Sequence, residues 1–275
     1  MVEPWADDDV ASFVDTQLET LTGHGDDLAP ISADRGAEIV AAVRAAGRRR
    51  LVGPAIRLAC ATWAVVAPSA DRRWWGELAE AGEDVAITGR DPEGLIELLH
   101  RSGTAFARAG DRTAADDQWR RAFALTQRLG DHDRSAHLLH LVGDLRRAGG
   151  SLGRALTAFF ELVRVRAEQN DRLGLAAALT EVGVTMARTG RVTDADYFLR
   201  RAGEALPSGA DVPPSALLRH AATLVGLGRA WDGRGAHAAA MPCYSQALAE
   251  LVDVDDYAAE DVRVLLAAAA ERRRG

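Results

Sequence analysis

Lysine is missing from this chain: all 33 basic residues are arginine, and asparagine occurs once, at Asn170. Such a bias is what a GC-rich genome, an actinobacterial one for example, imposes on composition. It also removes every recognition chemistry that needs a lysine ammonium or a set of asparagine amides. Cysteine occurs twice, at Cys60 and Cys243. Two thiols so far apart exclude a disulfide scaffold and read as reduced, buried side chains. Aromatic residues are 5% of the chain against 48% hydrophobic residues in all. Alanine and leucine carry much of the apolar content, which favours closely packed helices over sheets. No uncharged apolar run reaches membrane-spanning length. The acidic start, Met1-Val2-Glu3-Pro4-Trp5 followed by Asp7-Asp8-Asp9, lacks the apolar core of a secretory signal. A cytoplasmic protein with no membrane partner is expected. The formal charge of −7 argues against nucleic acid as a partner by bulk electrostatics.

Catalytic signatures are absent too. There is no Gly-x-x-x-x-Gly-Lys-Ser/Thr phosphate loop, and without lysine none can be completed. No Gly-x-Ser-x-Gly elbow occurs and no convincing strand precedes a glycine-rich loop. No catalytic residue is assigned, no cofactor is implied, and the expectation is a non-enzyme.

What is present is a register repeated four times. Gly103, Gly143, Gly183 and Gly228 are each followed seven residues later by a second glycine, Gly110, Gly150, Gly190 and Gly235. Twelve residues after each first glycine stands Ala115, Ala155, Ala195 or Ala240, and four further on Trp119, Phe159, Leu199 or Tyr244. Three more residues lead to Ala122, Leu162, Ala202 or Ala247. Around each first glycine the apolar residues fall at spacings of three and four, on a single helical face. The second glycine suits the left-handed residue that ends a helix. Thr113, Ser151 and Thr193 are then expected to cap the returning helix. The first glycine is expected to bring the two helices close together opposite the alanine.

The flanks are less regular. Residues 1–30 read as a weakly ordered acidic segment with a short helix over 10–21 and a break at Gly23-His24-Gly25. Residues 31–90 read as a degenerate repeat with packing helices. One helix starts at Ser32, one spans 54–67, and one is capped by Asp71 after the break Pro68-Ser69-Ala70. Four units follow, over 91–130, 131–170, 171–208 and 215–252, and a C-terminal capping helix with an arginine tail fills 253–275. Pro242 falls where the fourth return helix should already be running, so a late start or a kink is expected there.

This register resembles the tetratricopeptide repeat, in which a large residue, a leucine, a small residue, an aromatic and spaced alanines mark a helix–turn–helix unit. The resemblance covers residues 91–252 and more loosely 32–90. It implies an all-α, right-handed superhelix of about twelve helices. The spacings of 40, 40 and 45 residues exceed the 34 of the common form, so the helices are longer. Long units joined by Arg128-Leu129-Gly130-Asp131 are similar to the C-terminal repeat arms of bacterial multidomain regulators.

In that family the first helix of each unit lines a concave groove that binds a protein segment or peptide. The matching positions here are Glu97, His100, Thr104 and Arg108 in the first unit, and His137, His140, Asp144 and Arg147 in the second. Thr180 and Arg188 follow in the third, and Arg229 and Asp232 in the fourth. Clamps for a C-terminal carboxylate use lysine and asparagine at such positions, and pheromone receptors use asparagines, so both mechanisms are disfavoured. His137, His140 and Asp144, with His100 on the neighbouring unit, could be read as a transition-metal set. A polar groove wall explains them equally, and no metal is assigned. Of the adjacent Trp74 and Trp75, one ring must leave the buried stripe of its helix, so one is expected to be a partly exposed surface anchor. The paired arginines 120–121, 146–147 and 200–201 are interleaved with acids and read as solvated faces. The function expected is a non-enzymatic adaptor binding a protein or peptide in its groove. The alternative is a sensor arm that binds a small ligand and controls a transcription regulator. A third reading is a homo-oligomer associating through its terminal helices.

Overall fold

The computed structural model describes residues 7–23, 31–66, 72–206, 212–252 and 254–274. Among these are thirteen α-helices, a single 3₁₀ turn and no strand. The chain divides into two compact units, one ending at Leu138 and the other beginning at Leu139.

Unit 1 holds α1 (Asp7–Gly23), α2 (Ala33–Arg48), α3 (Val52–Val65), α4 (Trp75–Thr88), α5 (Pro92–Arg108) and α6 (Arg112–Leu129). It also holds the start of α7 (His132–Ala148). The short helix expected over 10–21 is present as α1. Val10, Val14 and Leu21 of α1 are buried in the core shared with α2, α3 and α4. Ser32 caps α2 by accepting the Arg35 N–H at 3.3 Å. The break at 68–70, Asp71, His24 and Gly25 lie outside the described residues.

The expected tryptophan anchor does not exist. Trp74 is 3% and Trp75 1% exposed. The physical reason is that the chain enters α4 through a 3₁₀ turn, Arg72–Trp74, so the two side chains do not share one helical stripe. Trp74 lies over Gly36 of α2, where an added Cβ would sit 2.4 Å from the indole. Trp75 packs edge-on to Trp63 at 5.5 Å between centroids, and 5.5 Å from Phe106.

Unit 2 holds the rest of α7, α8 (Leu152–Glu168), α9 (Arg172–Arg188), α10 (Val192–Ala205), α11 (Pro214–Asp232), α12 (His237–Leu251) and α13 (Asp256–Arg274). Pro242 does not delay α12. The helix begins two residues after Gly235, as α10 does after Gly190, and runs through the proline.

The first glycine of each repeat faces the bulky residue sixteen positions on, not the alanine. An added Cβ would meet the Trp119 ring at 2.6 Å from Gly103, Phe159 at 2.4 Å from Gly143, Leu199 at 2.6 Å from Gly183 and Tyr244 at 2.4 Å from Gly228. The absent side chain is therefore the seat of the partner helix's largest one.

Turns obey a finer period than the repeat. Left-handed residues fall at Arg90, Gly110, Gly130, Gly150, Asn170 and Gly190, twenty residues apart, with Arg50 in the same register. The single asparagine of the chain thus occupies a position where its short polar side chain tolerates positive φ. The residue after these positions caps the next helix. Asp91 accepts from Gly94 N at 2.8 Å, Asp111 from Ala114 N at 3.0 Å, Asp131 from Arg134 N at 3.0 Å and Asp171 from Gly174 N at 2.8 Å. Of the expected caps, Thr113 and Thr193 lie inside α6 and α10. Ser151 stands at the N-cap of α8 without a side-chain bond.

Candidate functional site

The expected groove residues lie on the first helices α5, α7, α9 and α11, and each unit presents its own part of them. In unit 1, Glu97 pairs with Arg101 at 2.5 Å. His100 is half-buried, with its ring 5.2 Å from that of His137 and nearly perpendicular to it. Burial, and then the neighbouring His137, hold the His100 imidazole below its ordinary value. The backbone oxygen of His100 accepts both the Thr104 hydroxyl at 2.9 Å and the Trp119 indole N–H at 3.2 Å. Arg108 reaches the Ala64 carbonyl at 3.4 Å. Beside Glu97 opens a groove of about 670 Å³ between α1, α3 and α5, floored by Leu18, Leu21, Ile56 and Cys60. Sequence reading missed it because α1 and α3 carry no repeat register. Burial and the Glu97 charge push the Cys60 thiol up to about 12, so it is not a thiolate nucleophile.

In unit 2 many of the expected groove residues serve the fold. Arg147 is the centre of a network. It bonds to Asp144 and to Glu181 of the next first helix, and its guanidinium lies 5.1 Å over the Phe159 ring. Its side chain is only 16% exposed and that of Glu181 13%. His140 contacts the other Asp144 oxygen at 3.2 Å. Thr180 is buried and donates to the Ala176 carbonyl at 2.9 Å. Asp232 accepts from the Tyr244 hydroxyl at 3.0 Å, meets His237 at 2.9 Å and Arg272 of α13 at 3.3 Å. It fastens the terminal helix. Burial, with this bond next, pushes the Tyr244 phenol up to about 12.

Two groove cations differ from these. Arg188 and Arg229 are exposed and form no ion pair among the described residues. Unit 2 also carries a cavity between α9 and α11, lined by Thr180 and Arg219 among others. On the opposite kind of helix, Phe160, Phe198 and Tyr197 form an edge-to-face chain across α8 and α10, with Tyr197 49% and Phe160 38% exposed. Among the described residues no three His, Cys, Asp or Glu side chains converge to hold a metal ion. None of the described helices is long and apolar enough to cross a membrane.

No protein-family model and no curated protein sequence matches the chain. Solved structures do. The apo form of RapI superposes with a TM-score of 0.56 at 10% identity, over 95% of this chain and 72% of that one. A putative kinesin light chain from Podosopora anserina with TPR-like repeats gives 0.50 at 15%, over 81% and 97%. The fold is a tetratricopeptide-like helical-repeat solenoid. A signal-transduction ATPase with a tetratricopeptide repeat sensor from Pyrococcus horikoshii gives 0.54 at 12% identity. The present chain covers 94% of its own length there but only 41% of the ATPase. At these identities the likeness concerns the fold, and function has to be argued from the side chains.

Proposed function

We propose that the chain is a non-enzymatic adaptor whose first-helix faces bind a segment of a partner protein. The observation that carries this reading is the charge left over after internal pairing. In unit 2 every groove acid is already paired, Asp144 and Glu181 sharing Arg147, and Asp232 with Arg272 and His237. Arg188 and Arg229 on the same helices keep exposed guanidinium groups with no carboxylate. A chain of net charge −7 thus offers uncompensated positive charge on this face, which favours an acidic partner segment and disfavours basic ones. The fold supports the reading in a general way, since helical repeats present extended surfaces suited to binding.

The variant that tests it is the pair Arg188→Glu and Arg229→Glu. Both side chains are exposed, so the melting temperature is expected to stay within a degree or two of the parent, in line with about 0.5 kcal/mol or less for such surface changes. A protein captured from lysate of the source organism by the parent should be lost by the variant. Equal capture by both would remove the first-helix face of unit 2 from the account.

A further inference from the structure

The cavity between α9 and α11 lies wholly within unit 2 and has a volume of about 320 Å³, at the lower end of the roughly 300–1,000 Å³ of small-molecule sites. Its walls are apolar, formed by Leu173, Ala176 and Ala177 of α9, Ala216 of α11, and Leu206 and Pro213 on the connection between α10 and α11.

The polar groups around it sort cleanly into used and unused. Asp171 is used twice over, accepting from Gly174 N at 2.8 Å and pairing with Arg166 at 3.1 Å. His220 is used on both ring nitrogens, by the Glu250 carboxylate at 2.7 Å and the Leu199 carbonyl at 3.1 Å. It is a wall, fixed from behind. Thr180 donates its hydroxyl proton to Ala176. Arg172 caps the end of α10 through the carbonyls of Glu204, Ala205 and Leu206, and meets no carboxylate among the described residues. Besides the exposed Ser215 hydroxyl, Arg219 is the exception and the one such charged group in the lining: it is exposed and has no ion pair among the described residues. The acids at the site are spent and a guanidinium is not. An apolar chamber with one unspent cation at its edge is complementary to a molecule with an apolar body and one anionic end.

We propose that this cavity is a binding site for a small organic anion, an aliphatic or aromatic carboxylate. Its body fills the space between α9 and α11, and its carboxylate pairs with Arg219. The site shares Thr180 with the first-helix set, but its test does not rest on partner binding.

Isothermal titration calorimetry with sodium octanoate tests it, with octylammonium chloride as the charge-reversed probe of the same apolar body. Octanoate is expected to bind one to one with a dissociation constant on the order of 0.1–1 mM, as its few heavy atoms allow. Octylammonium should bind at least about tenfold more weakly. Arg219→Ala, an exposed change that leaves the melting temperature alone, should weaken octanoate about tenfold or more. Ala177→Phe, which puts a ring into the chamber, should abolish saturable binding while Arg188→Glu leaves it intact. Equal binding of the two probes, octanoate binding indifferent to Arg219→Ala and Ala177→Phe, or no heat from octanoate would each overturn the proposal.

Discussion

The two units use one packing device and differ in what surrounds it. In both, a helix glycine receives the large side chain of the returning helix, Gly103 under Trp119 in unit 1 and Gly143 under Phe159 in unit 2. Outside that device unit 1 relies on bulk. Trp63, Trp74 and Trp75 are all buried, with Phe106 packed among the rings of Trp63 and Trp75. The indole N–H groups of Trp63 and Trp74 find no acceptor among the described residues. Unit 2 relies on smaller groups whose polar ends are tied together: Tyr244, His237 and Arg272 at Asp232, and Arg147 between Asp144 and Glu181. The difference shows two routes to ordering the irregular parts of a repeat stack. Large aromatic area tolerates unsatisfied donors, whereas the smaller groups are held by paired polar ends. The buried Trp231 indole N–H of unit 2, also without an acceptor among the described residues, follows the aromatic rule.

Four tests break or sharpen that comparison. The largest effect is expected from Trp75→Ala, which removes a fully buried ring from unit 1. Its cost is about 3–5 kcal/mol, read by chemical denaturation, and the lost hydrogen-exchange protection should concentrate in unit 1. Protection lost equally in unit 2 would deny the units their separate cores. Next, Gly143→Leu and Gly103→Leu should each destabilise by about 1–3 kcal/mol, because the new side chain must displace a ring already in contact. A cost at only one site would mean the device is not shared. Third, Arg147→Ala should cost about 1–3 kcal/mol by stranding Glu181, against about 0.5 kcal/mol or less for Arg188→Ala. Equal melting temperatures would refute the division between structural and free cations.

The smallest effect concerns pH. The folded value of His100 lies below the ordinary 6.5 because burial and His137 oppose its charge. The unfolded chain therefore binds the proton more readily. The contribution of the neutral ring is intact above pH 6.5 and is lost as pH falls through the lower folded value. His100→Gln should flatten this part of the stability profile between about pH 7 and pH 5, where the parent weakens. An unchanged slope would place the ring in a more solvated setting than its packing indicates.

Much of this was legible in the sequence for a physical reason. A glycine seat and its large occupant are strict demands of close helix packing, and they leave a register from Gly103 to Tyr244. Caps are looser demands. The twenty-residue period of turns is obscured because glycine, Asn170 and even Arg90 fill the left-handed position, while aspartate, Ser151 and Arg191 fill the cap. The burial of both Trp74 and Trp75 was hidden because a 3₁₀ turn reorients neighbours that an unbroken helix would separate. At the candidate site, the family resemblance picked out the first-helix residues. It could not tell Arg147, held by two carboxylates, from Arg188, held by none, since that depends on residues 34 positions apart. The groove at Cys60 and the cavity at Arg219 come from helices or connections outside the register.

The most direct test of the central claim is photo-crosslinking in cells of the source organism. A photoreactive residue would replace Val184, one turn before Arg188 on the first helix α9 of unit 2, or Tyr197 in the aromatic chain on its second helices. The account predicts a discrete partner adduct from position 184 and none from position 197. An adduct from position 197 alone would contradict it and move the binding surface to the Phe160–Tyr197 side.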